Sequence, residues 1–392
     1  MEAAARTNCV VVGAGALGLG FLGSELSADC RVTYLDVPAK ADLLRHLHET
    51  GGYVFNETGL SMRAVEVRGV DGLCIQEAAA QEALTASDVV FTAVGEPNLP
   101  ALAPLLAATA SARPAARPLH VLCAENGVEI ARGFRAAVER AAGRDLRGAL
   151  LVGDTVMGRM CKVVTAPRAP LKPPAPGLDW AVVAEPFFGV PVEEHAMAGL
   201  RRAPAAIQPQ APARFHASED VKMLSHNGLH ATLACIGHLK GVELLSDLRG
   251  DPDTMELGRR VLVNEAGAAL FRKHGRALGR NDYMNYCDSI LRRVTCPVLA
   301  DPVARGVRGI MRKLEPWERL VYSVRTVAAQ GIEPTAFAMG LAAAVLVAQR
   351  TGETDLDFRA VLTEHCGFHP ARDEALLRLI EGARGALPQA TH

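Results

Sequence analysis

At 392 residues the chain is too long for one ordinary core, so two domains are expected, each with ample surface to bury. With 42 basic against 43 acidic residues it is almost neutral, which gives no reason to expect nucleic acid or a membrane surface as partner. The longest apolar stretches, such as FAMGLAAAVLVA at 337–348, fall short of the roughly 20 residues of a membrane span; no leader pattern opens the chain, and nine scattered cysteines without a C-x-x-C pair fit a reducing, cytoplasmic setting.

The first half alternates strands and helices. NCVVVG (8–13) is a short apolar run ending in glycine, ALGLGFLGSELS (16–27) reads as a helix, and RVTYLD (31–36) reads as the next strand. GYVFNETG and MRAVEVRG have the alternation of a hairpin inserted after that strand. DVVFTAV (88–94), PLHVLCA (118–124), ALLV (149–152) and CKVVTA (161–166) follow, with a helix at 130–142 between them; continuous apolar strands of this kind belong to a parallel sheet covered on both faces. The proline-rich segments at 166–177 and 202–213 interrupt the pattern, with the strand WAVVAEP (180–186) between them. From about 219 onward the periodicity is helical to the end. The fold expected is α/β: a Rossmann-type dinucleotide-binding domain over 1–200, then a mostly helical substrate domain over 201–392.

VVGAGALGLG places Gly13, Gly15 and Gly18 directly after a strand and at the opening of a helix. Each glycine has a task in binding a dinucleotide: a tight turn, close approach of the backbone to a pyrophosphate, and close packing of helix on strand. The phosphates would meet the free N–H groups of the helix start. Asp36, at the end of the second strand, is placed to bind a ribose 2′-hydroxyl and to repel a 2′-phosphate, so NAD is expected rather than NADP. TAVGE and CAENG end later strands, which makes Gly95, Glu125 and Asn126 candidate contacts to the cofactor.

KMLSHNGLH (222–230) carries a lysine, an asparagine and two histidines. At about 100° per residue Lys222, His226, Asn227 and His230 share one face of a helix. A dehydrogenase must remove a hydroxyl proton as hydride leaves carbon, which needs a metal or a side-chain base, with donors for the developing alkoxide. Lysine can be that base when burial or nearby positive charge lowers its pKa.

Here the chain resembles the polyol-specific long-chain dehydrogenases, the mannitol dehydrogenase family. The family's signature has a lysine, an asparagine five residues later and a histidine three after that, matched by Lys222, Asn227 and His230. The resemblance implies a metal-free mechanism in which the lysine is the general acid/base, asparagines stabilise the oxyanion and the histidine positions the substrate. It extends over nearly the whole chain, through GAGALGLGFLG, DVVFTAVG, CAENGVEIA and NEAGAALFRKHG. ILRRVTCPVLADPVARGVRGIMRKLEPWERL (290–320) resembles the mannitol-1-phosphate branch, and Arg305, Arg308, Arg312 and Lys313 fit its basic spacing. Arginine forks match the oxygens of a phosphomonoester, so a polyol phosphate is the substrate that the resemblance implies.

Three positions depart from the family. Asp154 stands five residues before Arg159, where the family has its second oxyanion asparagine; an ionised aspartate would repel an alkoxide. Asp154 is then protonated, or binds another substrate group, or marks divergence. His226 replaces an apolar residue, and Cys296 precedes Pro297 in place of an asparagine. His226 and His230 have a spacing that can hold a metal, but without a third ligand in reach of sequence reasoning none is expected. His365 and His369 form a second such pair at a helix end, read as structural. The competing readings are a dehydrogenase for another polyol or sugar acid, and an NAD-binding sensor without catalysis. The partner expected is a small molecule, with monomer or homodimer left open.

Overall fold

Among the described residues up to Gln210 there are twelve strands: β1 (Thr7–Val12), β2 (Cys30–Asp36), β3 (Gly52–Glu57), β4 (Arg63–Arg68), β5 (Val70–Cys74), β6 (Val89–Thr92), β7 (Leu119–Cys123), β8 (Leu150–Asp154), β9 (Cys161–Thr165), β10 (Trp180–Ala184), β11 (Val190–Glu193) and β12 (Ile207–Gln210). They are seen in a computed structural model that describes residues 6–388 apart from Ala115 and Val128. The main sheet has the order β5-β2-β1-β6-β7-β8 with every pairing parallel. Alternation along β1 sends Cys9 and Val11 into one core and Val10 and Val12 into another, so both faces are covered, as continuous apolar strands require. The strand order reverses between β2-β1 and β6-β7, which is the doubly wound arrangement expected.

Two strand readings change. CKVVTA is β9, antiparallel to β10 in a separate sheet of order β4-β3-β10-β9, and Val163 on it is exposed, which a central parallel strand would not allow. The third parallel strand on that side is β5, which directly follows the β3/β4 hairpin. Gly69, at φ +76, turns the chain at once from hairpin to sheet, so no loop separates the two in sequence. β11 and β12 form a small parallel pair.

The two units divide at Phe215/His216 rather than near 200, because β12 pairs with β11 and carries the first unit past the proline-rich run. The second unit is helical. A continuous helical run comprises Pro212–Asp220, Val221–Gly228 and Leu229–Leu239; later helices include Pro252–Arg259, Arg280–Val294, Arg319–Ala329, Thr335–Arg350 and Pro370–Arg384. Two short helices that periodicity did not announce, Val303–Val307 and Ile310–Lys313, are broken apart at Gly309, φ +60. The apolar stretch 337–348 lies inside the buried helix Thr335–Arg350, and no helix among the described residues is long and apolar enough to cross a membrane.

Candidate functional site

In the first unit the glycine loop joins β1 to the buried helical turn Gly18–Gly23. Gly13 has φ +111, and a Cβ on it would lie 2.3 Å from the Ala93 carbonyl oxygen; a Cβ on Gly18 would lie 2.0 Å from the Gly13 carbonyl oxygen. Both glycines are therefore required by the chain's own packing. Gly15 is different: a Cβ there would meet nothing within 4 Å. No intramolecular contact demands a glycine at 15, which fits a backbone that a pyrophosphate must approach. The half-buried Asp36 accepts the Ala14 N–H at 2.7 Å on Oδ2 and the Val37 N–H at 2.7 Å on Oδ1. An ionised carboxylate has about four acceptor sites, so it can hold the loop and still accept from a ribose.

The neighbouring strand ends carry two further carboxylates. Glu125 is buried, and accepts the Val94 N–H at 3.0 Å and the Gly95 N–H at 2.9 Å, which fixes the turn after β6. Burial raises its pKa, and the two N–H donors offset this only in part. Glu125 thus positions the exposed Gly95, while Asn126 beside it is exposed. Asp154, at the end of β8, is buried and accepts the Ala131 N–H at 2.9 Å at the start of the helix Ile130–Ala142. An anion is favoured at a helix N-terminus, which is a physical reason for aspartate where the family has asparagine. Arg159 is a buried hub: Nη2 donates to Glu57 at 2.9 Å and Nη1 to the Ser24 hydroxyl at 2.8 Å.

In the second unit the lysine segment Val221–Gly228 is wound as a π-helix, with α-helix on either side. Such wide turns recur at functional sites. Each residue advances less than the 100° of an α-helix, so Lys222 and Asn227, five apart, come closer to one line than the sequence reading assumed. Its stem is anchored by Asp220, whose carboxylate accepts from Tyr322 Oη at 2.6 Å, Lys273 Nζ at 2.7 Å and His274 Nε2 at 2.5 Å. Gly228 lets Phe337 and Ser323 pack against the turn; a Cβ there would meet the Phe337 ring at 2.9 Å. Lys222 and Asn227 are half-buried.

His226 is 5 % exposed and its Nδ1 is buried without a hydrogen-bond partner. Burial first, then the charge of Lys222 and those of Arg293, His230 and Arg319, push its pKa well below 6.5, so the ring is neutral. His230 Nε2 is 3.0 Å from Asp301 Oδ2. Burial lowers the His230 pKa, against the opposing pull of Asp301. Among the described residues no group of three or more His, Cys, Asp or Glu has the arrangement of a metal site.

The four basic residues grouped by spacing do not act as one face. Arg305 places Nε 2.6 Å from Asp301 Oδ1. Lys313 is buried and donates to the Gly306 carbonyl; burial, then Arg319, bring its pKa down to about 8. Arg312 is exposed and pairs with Glu318, and Arg308 is exposed.

The profile of the mannitol dehydrogenase Rossmann domain matches residues 7–201, and that of the mannitol dehydrogenase C-terminal domain matches residues 215–357. The chain is 31% identical over 378 residues to a mannitol-1-phosphate 5-dehydrogenase of Geobacillus thermodenitrificans, covering 93% of this chain and 92% of the relative. The chain belongs to the mannitol dehydrogenase family. Another relative, a mannitol-1-phosphate 5-dehydrogenase of Paenarthrobacter aurescens, is 30% identical over 91% of each chain. In fold the chain is similar to the Pseudomonas fluorescens mannitol 2-dehydrogenase solved as a ternary complex with NAD and D-mannitol, with a TM-score of 0.72 at 15% identity over 98% of this chain and 92% of that one.

Within this family frame the structure places Lys222 and Asn227 on the wide-wound segment and His230 in the α-helix that directly continues it, and ties Asp36 at the end of β2 to the loop of Gly13, Gly15 and Gly18 through the Ala14 N–H. Arg305 and Lys313 are separated in role from Arg308 and Arg312. His365 donates through Nε2 to the Met311 carbonyl at 2.7 Å, and His369 Nδ1 accepts the Ala371 N–H at 3.2 Å, so both serve local structure. Sequence reasoning missed Asp301, Arg293 and Arg319. Asp301 was visible four residues before Arg305, a helical ion-pair spacing. Arg293 and Arg319 carried no local signal.

Proposed function

We propose that this polyol dehydrogenase interconverts a polyol phosphate and a ketose phosphate with NAD as cofactor. NAD, when bound, supplies the hydride acceptor. The observation that carries the reading is the continuous helical run whose π-wound segment holds Lys222 and Asn227 and whose following α-helix holds His230, with a positively charged surround. In the oxidative direction the Lys222 amine takes the hydroxyl proton while hydride leaves the carbinol carbon, and the ketone and an ammonium result. The Asn227 amide donates to the oxygen as negative charge develops on it. His230 orients the polyol chain. The glycine loop and Asp36 hold the dinucleotide, with Gly15 leaving the room that its phosphates require.

The phosphorylated substrate is supported by the two relatives' names and by the exposed guanidinium groups of Arg308 and of Arg312, the latter paired with Glu318. Arginine forks bind phosphate oxygens in pairs, and such exposed contacts weaken as salt rises. Asp154, tied to a helix start in the first unit, keeps a structural part in this reading, and the alkoxide is served by Asn227.

The test is NADH oxidation followed at 340 nm with fructose 6-phosphate and, in parallel, free fructose, each with and without a chelator. Chelator-resistant turnover of the phosphate and slow turnover of the free sugar is the expected result. Equal rates on both sugars would reject phosphate recognition, and NADH binding without turnover of any polyol or ketose would reject catalysis.

A further inference from the structure

Asp301 is 1 % exposed, and its carboxylate accepts from two side chains. Oδ2 accepts from His230 Nε2 at 3.0 Å and from Arg305 Nη2 at 2.5 Å, and Oδ1 accepts from Arg305 Nε at 2.6 Å. Burial alone would raise its pKa, but the hydrogen bonds from His230 and Arg305 outweigh it and hold the carboxyl well below the usual range. The backbone of the helix Val303–Val307 packs closely on the His230 ring: a Cβ on Gly306 would lie 2.4 Å from the Ala234 Cβ and 3.3 Å from His230 Cε1.

We propose that Asp301 is a positioning residue for the oxidoreduction: by locking His230 as its Nε2–H tautomer, it leaves Nδ1 as a lone-pair acceptor for a substrate hydroxyl. This rests on the reading of His230 as the residue that orients the polyol. An ionised carboxylate can only accept, so the imidazole nitrogen that faces it must carry the proton. A neutral ring has one proton, so the opposite nitrogen is then bare. Arg305 fixes the plane of the carboxylate with its two-pronged fork, which gives it a task in this pair rather than among freely available phosphate ligands.

Asp301→Asn separates this role from simple packing. The carboxamide accepts at only one of the two oxygen positions and carries no charge, so the lock on the Nε2–H tautomer of His230 is lost and a fraction of the rings carry the proton on Nδ1, a donor where the substrate needs an acceptor. The experiment uses full-length protein with 15N-histidine. In the wild type, the His230 Nε2 resonance is expected to be protonated and Nδ1 bare between about pH 6 and 8, the range in which an ordinary imidazole would titrate. In the variant Nδ1 is expected to gain protonation, the single tautomer giving way to a mixture. NADH binding is expected to be unchanged, with kcat on the ketose lowered about 10- to 100-fold, by analogy with the loss seen when the hydrogen-bond partner of a metal-ligating imidazole is removed. In a His230→Ala background the same substitution is expected to change kcat by less than about twofold, since coupled residues are non-additive.

A wild-type His230 that is charged, or protonated on Nδ1, overturns the proposal without any variant. So does an Asp301→Asn effect of equal size with and without the His230 imidazole, which is the behaviour of a purely structural carboxylate. Lys222→Ala, run alongside, isolates the wider reading: wild-type turnover in that variant would remove the lysine mechanism, while the tautomer of His230 still decides the part played by Asp301.

Discussion

His226→Leu should stabilise the protein, and more so as the pH falls. At neutral pH the native state holds a nearly fully buried imidazole whose Nδ1 has no partner. Leaving such a group unsatisfied costs about 1–3 kcal/mol, and leucine of similar size removes that cost while keeping the apolar contacts. The pH term has a definite sign. The native pKa lies well below 6.5 and the unfolded value is near it, so below pH 6.5 the unfolded chain binds a proton that the native chain refuses. Stability contributed by neutral His226 is therefore full above about pH 6.5 and is lost as pH falls beneath it, by up to about 1.4 kcal/mol per unit until the native pKa is reached. Leucine lacks this loss, while His230, lowered in the same direction, remains in both proteins and cancels in the comparison. Thermal unfolding of the two proteins side by side from pH 7.5 to 5.5 should show the melting gap widen by about 3–5 °C. A gap that stays constant or narrows would mean that His226 is charged or bonded in the native state.

Asp36→Ala should lower kcat/KM with NAD relative to NADP by about tenfold, the worth of one charged hydrogen bond of roughly 1.4 kcal/mol; an unchanged ratio would remove its ribose role. Arg308→Ala should raise KM for a phosphorylated substrate about tenfold and leave the free sugar unaffected, measured as paired steady-state curves. Gly306→Val should lower stability by about 1–3 kcal/mol, because the new side chain starts 2.4 Å from the Ala234 Cβ, and should reduce turnover through the displaced His230 ring; a melting temperature equal to wild type would refute the close approach.

The doubly wound sheet was legible because its strands are short apolar runs that end in turn residues, and because the glycine loop sits where only such a sheet would put it. β5 and β9 were misread for opposite reasons. β5 carries Asp71 and Gly72 in five residues, and Gly72 is there because a Cβ would lie 2.6 Å from the Leu44 carbonyl oxygen. That tertiary requirement leaves no local pattern. β9 has the apolar composition of a central strand but lies in a second sheet where alternate residues are exposed, a distinction that composition does not encode. The helices of the second unit were visible from periodicity except where the chain breaks at Gly309, since pieces of five and four residues are too short to show a period.

The site shows the same division more sharply. The spacing of Lys222, Asn227 and His230 identifies residues on one face of a continuous helical run, and the wide winding brings the first two closer to alignment. Spacing cannot say whether a charge is free. Arg305, Arg308, Arg312 and Lys313 are four cations within nine residues, yet they have four different environments: Asp301 beside Arg305, the Gly306 carbonyl beside Lys313, Glu318 beside Arg312, and an exposed surface for Arg308. The same holds for Asp154, where a carboxylate that would oppose an alkoxide is instead matched to the positive end of a helix. A residue's chemistry in a site follows from the group that satisfies it, and for a buried ion that group lies in the tertiary structure, where Asp301 joins the histidine of the signature to an arginine 75 residues further on.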